Sequence, residues 1–383
     1  MPLTLCALAL AVCVMGTSEF MLAGLLPDIA RDLGVSVSTA GLLTSAFAVG
    51  MVIGAPLMAA MARHWPPRRA LIVCLAIFAS CHLVGATITA FPVLLATRVL
   101  GAFANAGFLA VALSTAIILV PQDRKARALS ILLSGTTIAT VVGVPTGALL
   151  GNALGWRATF WAIAALCIPA VAGVVHGVRH GSPVTAADAR TTPAFAAELR
   201  QLRSPRLLRA LTLGALINGG TFAAFTFLAL VVTDCADLER HWIPIVLAVF
   251  GVGSVLGVTI AGRLADQRPG LVLAAGGPLL LVGWTALALH GHQPIPLLLL
   301  VFVQGLLAFG VGTTVIAGAL YAAADAPTMG GSYATASLNI GAAGGPVLGG
   351  MSLATAAGAM GPIWVAAALT GIALVLMALS RRS

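Results

Sequence analysis

The sequence predicts an all-α protein that crosses a membrane many times. Three observations carry that reading. Hydrophobic residues make up 60% of the 383, and charged residues only 8%. The mean hydropathy is +1.07, far above that of water-soluble domains. The apolar runs are about 20 residues long, the length that crosses roughly 30 Å of hydrocarbon at about 1.5 Å per residue. Hydrocarbon offers backbone groups no partner, so a spanning segment must be helical or part of a closed barrel. Barrel strands alternate in polarity over about 10 residues. These runs, rich in Leu, Ala, Val and Ile, do not.

Twelve helical spans follow along the chain, at 4–26, 40–61, 70–89, 92–118, 129–151, 157–176, 208–231, 242–262, 270–289, 294–320, 332–353 and 362–380. The first lacks a basic leading segment and no soluble domain follows it, so a retained helix is expected rather than a signal peptide. Ala62-Arg63-His64-Trp65-Pro66-Pro67-Arg68-Arg69 ends the second span, because proline removes a donor and charge resists burial. Gln122-Asp123-Arg124-Lys125-Ala126-Arg127 separates the fourth from the fifth.

Lys and Arg favour the cytoplasmic side. With the N-terminus inside, 16 of the 20 fall in inner loops and the C-terminal tail, against 3 (Arg31, Arg157 and Arg240) in outer loops. That asymmetry predicts an even number of spans with both termini cytoplasmic. It also accounts for the net charge of +9 through topology and anionic lipid, so no nucleic-acid partner is expected. Cys6, Cys13, Cys74, Cys81 and Cys167 lie in predicted spans and Cys235 in an outer loop, with no CxxC or Cys/His ligand spacing. They read as small packed hydrophobes. No metal, cofactor or nucleophilic constellation is expected, and the chain is not read as an enzyme.

The chain divides into 1–176, a linker at 177–207, and 208–383. The linker is rich in Ser, Pro, Thr and Arg and is expected in the cytoplasm, with Phe195–Leu202 as a short surface helix. The two halves echo each other. Gly16-Thr17 recurs as Gly220-Thr221 and Gly101 as Gly305, both 204 residues on, and Pro145 recurs as Pro346 after 201.

Glu19 is the only acid placed inside a span. A carboxylate at the centre of a spanning helix costs about 2.5–3.5 kcal/mol, so a chain seldom keeps one without use. Among apolar neighbours it can take up and lose a proton near neutral pH; a purely structural pairing is the alternative. Arg98 is the only base inside a span, at similar depth, where the alternative is snorkelling to the outer surface. Asn105, Asn218, Thr221, Gln304 and Asn339 are further polar residues within spans, each either a tie to a neighbouring helix or a ligand for substrate. Phe222 and Phe225 beside Asn218 can wall a substrate pocket or face lipid. His82 is expected to pack rather than titrate. In the fifth span, small residues recur at 135, 139, 143, 147 and 151, a smooth stripe for close helix contact, with Pro145 adding a bend.

Six helices, a basic linker and six more helices resemble the major facilitator superfamily, in two pseudo-symmetric bundles. Gly262-Arg263-Leu264-Ala265-Asp266-Gln267-Arg268 resembles its inner-loop signature, although the first-half copy around Ala62-Arg63 lacks the acid. The glycine-lined fifth span resembles the antiporter motif of drug-exporting members, with Val144 intervening between Gly143 and Pro145. The segments GTSEFMLAGLLPDIA, LSGTTIATVVGVPTGALLG, GALINGGTFAAFTFLA and APTMGGSYATASLNIGAAGGPVLGG resemble chloramphenicol exporters of the actinobacterial Cmx/Cml type. The resemblance implies proton-coupled efflux of chloramphenicol by a monomer in the lipid bilayer. It implies gating roles for Gly262, Asp266, Arg268, Gly143, Pro145 and Gly147. It also places the first and fourth spans on one cavity, where Glu19 and Arg98 are expected to exchange partners with each other, proton and substrate. Sugar-efflux relatives share much of the framework, so export of a sugar or other small metabolite is the alternative.

Overall fold

The structure, a computed structural model, describes residues 3–62, 65–118, 120–121, 124–178, 201–267, 269–323 and 330–380. Most of the predicted linker, including all but the end of Phe195–Leu202, lies outside the described residues. So do Arg268 and the side chain of Asp266.

Among the described residues the chain is helical, with no strand. In order the helices are α1 (Leu3–Phe20), α2 (Leu26–Asp32), α3 (Val37–Ala62), α4 (Pro67–Thr87), α5 (Phe91–Ile118), α6 (Lys125–Ile138), α7 (Val144–Leu154) and α8 (Trp156–Gly177). They continue as α9 (Pro205–Thr226), α10 (Trp242–Gln267), α11 (Pro269–His290), α12 (Pro294–Ala322), α13 (Gly330–Ser352) and α14 (Gly361–Ser380). Four of them begin on proline, whose fixed φ and missing N–H suit the first helical turn. Gly155, at φ +84°, makes the sharp turn from α7 to α8.

Each of the twelve predicted spans falls on this helical framework, and the protein is a multi-pass membrane protein. Among the described residues, eleven stretches are long and apolar enough to cross a bilayer. The remaining span is α13, a helix of 23 residues whose glycines and serines lower its hydropathy. Large apolar side chains on the helix surfaces are left open, Ile168 at 70% and Ile295 at 72% exposure, as suits a hydrocarbon surrounding.

The helices group into two compact units: Met1–Leu22 with Ala46–Thr191, and Ala23–Ser45 with Thr192–Ser383. In the first, α1 packs on α6 and α8, and α4 on α5 and α8. The small-residue stripe is spent on α1. A Cβ built at Gly135 would lie 2.4 Å from the Ala9 carbonyl oxygen, and one at Gly143 would lie 2.0 Å from Thr17 Oγ1. The stripe is broken by one π turn, Ala139–Gly143, in which the Val144 N–H bonds the Ala139 carbonyl. Pro145 follows at once, and the wider turn makes room for a residue that has no N–H to give.

In the second unit α9 packs on α13 and α14, and α10 on α12. Residues 23–45 belong here because three contacts hold them. Gly41 takes the rim of the Phe227 ring, Gly350 lies against Ser38, and Asp28 pairs with Arg240. Asp28 lies 2.7 Å from Arg240 Nη1 and 3.2 Å from Arg31 Nη1.

Candidate functional site

The first unit holds a buried polar chain in otherwise apolar surroundings. Arg98 on α5, Ser18 on α1 and His82 on α4 are 2%, 0% and 3% exposed. Arg98 Nη1 donates to Ser18 Oγ and Nη2 to the Ser18 carbonyl, both at 2.9 Å. Ser18 Oγ lies 2.7 Å from His82 Nε2, and His82 Nδ1 lies 2.8 Å from the Phe78 carbonyl one turn back. The guanidinium stacks on Phe47 of α3, 4.5 Å from the ring centroid, a contact worth about 2 kcal/mol when desolvated. His82 is wedged between the rings of Phe78 and Phe160, at 4.4 and 5.6 Å. Arg98 therefore turns into the bundle, and the snorkelling alternative does not describe it.

Glu19 follows Ser18 on α1 and is partly exposed. Arg98 stays within Coulombic reach of it but gives both terminal nitrogens to Ser18. Arg98 Nε is buried without a partner. Asn105, two turns beyond Arg98 on the same face of α5, reaches Met51 Sδ of α3 at 3.7 Å. Ser18, His82 and Phe47 are the members that reasoning from sequence missed. The available signal was that a serine, a histidine and an arginine all sit at mid-depth in predicted spans.

The predicted residues of the second unit are engaged with helices of that unit, some with their own and some with a neighbour. Asn218 Nδ2 donates to the Leu338 carbonyl at 2.7 Å and ties α9 to α13. Thr221 bonds the Ile217 carbonyl at 3.0 Å, and Asn339 bonds the Thr335 carbonyl at 2.9 Å. Gln304 is 0% exposed, donates to the Leu280 carbonyl at 3.2 Å, and leaves Oε1 without a partner. Phe222 and Phe225 are buried rather than turned outward, and Phe225 lies 4.9 Å from the Phe250 ring. A Cβ at Gly262 would meet nothing within 4 Å. Asn218→Ala is expected to lower thermal stability by about 0.5–1.5 kcal/mol, the net worth of one such bond. Thermal unfolding of the purified protein in detergent checks it.

A cavity of about 960 Å³ opens in the second unit, lined by Asp28, Arg31, Asp234, Glu239, Arg240 and His241 among others. None of the predicted site residues lines it.

The sequence profile described as the Major Facilitator Superfamily matches residues 8–239. The chain belongs to the major facilitator superfamily. As a superfamily member it is a transporter and not an enzyme. It is 59% identical to a chloramphenicol resistance protein of Streptomyces lividans, over 98% of this chain and 95% of the relative. A chloramphenicol efflux pump of Mycobacterium tuberculosis is 31% identical, over 98% and 92%. Among solved structures, a bacterial homolog of the human lysosomal transporter Spinster, inward-facing and occupied, superposes with a TM-score of 0.80 at 18% identity, covering 99% of this chain and 96% of that one. A mutant of the peptide transporter POT in complex with alafosfalin gives 0.77 at 15% identity, covering 100% and 95%. At those identities the two structures speak to the superfamily fold alone.

Proposed function

We propose that this transporter exports chloramphenicol from the cytoplasm in exchange for protons, from the inner membrane of a bacterium and as a monomer. The observation that carries the substrate is the 59% identity, over nearly the whole of both chains, with a relative named for chloramphenicol resistance. The arginine asymmetry supports cytoplasmic termini, two six-helix halves and a cytoplasmic linker at 177–207.

Coupling is assigned to Glu19 and Arg98. The drug binds from the cytoplasm or inner leaflet, and the site then opens outward by alternating access. Protonation of Glu19 from outside weakens drug binding and favours return. Chloramphenicol is uncharged, so exchanging one proton for one drug moves net charge, and both gradients assist. They supply about 1.4 kcal/mol per pH unit and about 2.3 kcal/mol per 100 mV.

Drug contacts are assigned to Asn105, Asn218, Thr221, Phe222, Phe225 and Asn339, whereas Gln304 is enclosed between its own helix and α11. The bonds that Asn218, Gln304 and Asn339 already make leave few free polar groups for a sugar, which favours an amphiphilic substrate over a hydrophilic metabolite. Gating is assigned to Gly143, Pro145 and Gly147 beside α1, and to Gly262, Asp266 and Arg268 at the end of α10. The test is accumulation of labelled chloramphenicol in an exporter-deficient host, with and without a protonophore. Retention that the protonophore does not raise, or export of sugars in place of the drug, removes the reading.

The Asp28–Arg240 pair is expected to contribute little to transport. Its side chains are 18% and 46% exposed, and such ion pairs are worth about 0–1 kcal/mol. Arg240→Ala should change the export rate by less than about fivefold in the same assay.

A further inference from the structure

We propose that His82 is a positioning residue for Arg98, acting through Ser18, and that coupling of protons to drug depends on it. The inference rests on the antiport reading and assigns it two further members.

The chain of bonds has a direction that chemistry dictates. Arg98 can only donate, so Ser18 Oγ and the Ser18 carbonyl accept from it. The Phe78 carbonyl can only accept, so His82 Nδ1 carries a proton and donates to it. The neutral ring then has one acceptor, Nε2, which takes the hydroxyl proton of Ser18. Polarity therefore runs from Arg98 to Ser18 to His82 to Phe78, and every step is filled. His82 orients the Ser18 hydroxyl so that its lone pairs face the guanidinium. Without an acceptor at 82, that hydroxyl is free to turn to the carbonyls of its own helix, as threonines do elsewhere in this bundle.

The same arrangement leaves one nitrogen of the guanidinium without any partner. Arg98 Nε is buried and unpartnered, although leaving a buried charged donor unmade is costly. A guanidinium pinned through its two terminal nitrogens and by the Phe47 ring, with its Nε–H idle, is set for an acceptor that comes and goes. The Glu19 carboxylate, one residue from the anchor, is such an acceptor. Because the anchor is Ser18 itself, Arg98 cannot shift without disturbing the turn of α1 that carries Glu19. Among the described residues, Cys81 is a further titratable group within Coulombic reach of Arg98, beside Glu19 and His82.

The test uses purified full-length protein in liposomes, with labelled chloramphenicol moved either down its own gradient or uphill on an imposed proton gradient. His82→Phe keeps the ring packing between Phe78 and Phe160 but removes both nitrogens. His82→Gln returns an amide to the place of Nε2, and Ser18→Ala cuts the chain at its centre. A hydrogen bond to a charged group is worth about 1.5–3 kcal/mol, so His82→Phe and Ser18→Ala should each lose about tenfold or more of uphill accumulation, and far less of downhill movement. His82→Gln should recover most of the loss. Uphill accumulation by His82→Phe equal to wild type overturns the inference alone, as does equal loss of both modes in His82→Phe and His82→Gln. A wild type that moves drug only downhill removes the antiport reading, and the inference with it.

Discussion

Glu19→Gln should abolish uphill export while leaving downhill drug movement in place. The amide keeps the size and polarity of the side chain but cannot exchange a proton. With one proton per drug, one pH unit and 100 mV supply about 3.7 kcal/mol, roughly a 500-fold concentration ratio across the membrane. The variant should fall to a ratio near one. Proteoliposomes with separately imposed pH and voltage gradients provide the measurement. Accumulation by the variant that still follows either gradient would take the coupling role away from Glu19. The placement of Glu19 makes this the most informative single change. It is partly exposed, whereas Ser18 beside it is sealed into the bundle, so the two neighbours on α1 serve different partners.

The second large effect concerns neighbouring glycines on α13. A Cβ at Gly345 would lie 2.1 Å from the Gly219 carbonyl oxygen of α9 and 3.0 Å from the Ala223 nitrogen. At Gly344 nothing lies within 4 Å. The obstacle at 345 is backbone, which cannot swing aside as a side chain can, so α9 and α13 must separate. Gly345→Ala is expected to cost about 3 kcal/mol or more, the upper range for overpacking, and to lower the yield of folded protein sharply. Gly344→Ala should be neutral or slightly stabilising, because alanine is the better helix former by about 1 kcal/mol. Thermal unfolding in detergent, monitored by size-exclusion chromatography, separates the two. Equal stability of the variants would show that α9 and α13 do not approach as closely as described.

Reading residues for their partners succeeded unevenly. The periodic small residues at 135, 139 and 143 announced a close helix contact, and α1 supplies it through Ala9, Gly16 and Thr17. Spacing of four on a helix places residues on one face whatever the rest of the chain does, so the stripe was legible. Its partner was not, since any of eleven other helices can lie against it. Arg98 was legible as a residue out of place in hydrocarbon. That it stacks on Phe47 and bonds Ser18 was not, and His82 was read as mere packing. Gln304 illustrates the opposite case. Its polarity suggested a ligand, yet it is wholly enclosed against Leu280 and Gly283.

By itself the sequence determined that this is a bundle of membrane-spanning helices, and roughly where each one runs. In hydrocarbon, backbone groups are satisfied within each helix, so length and polarity are decided locally. Tertiary structure alone decided which polar side chains meet. Ser18, Phe47, His82 and Arg98 sit on four different helices, and their meeting depends on how each helix is rotated about its axis. That rotation is set by the packing of all the neighbours at once, and no single stretch of the chain contains it.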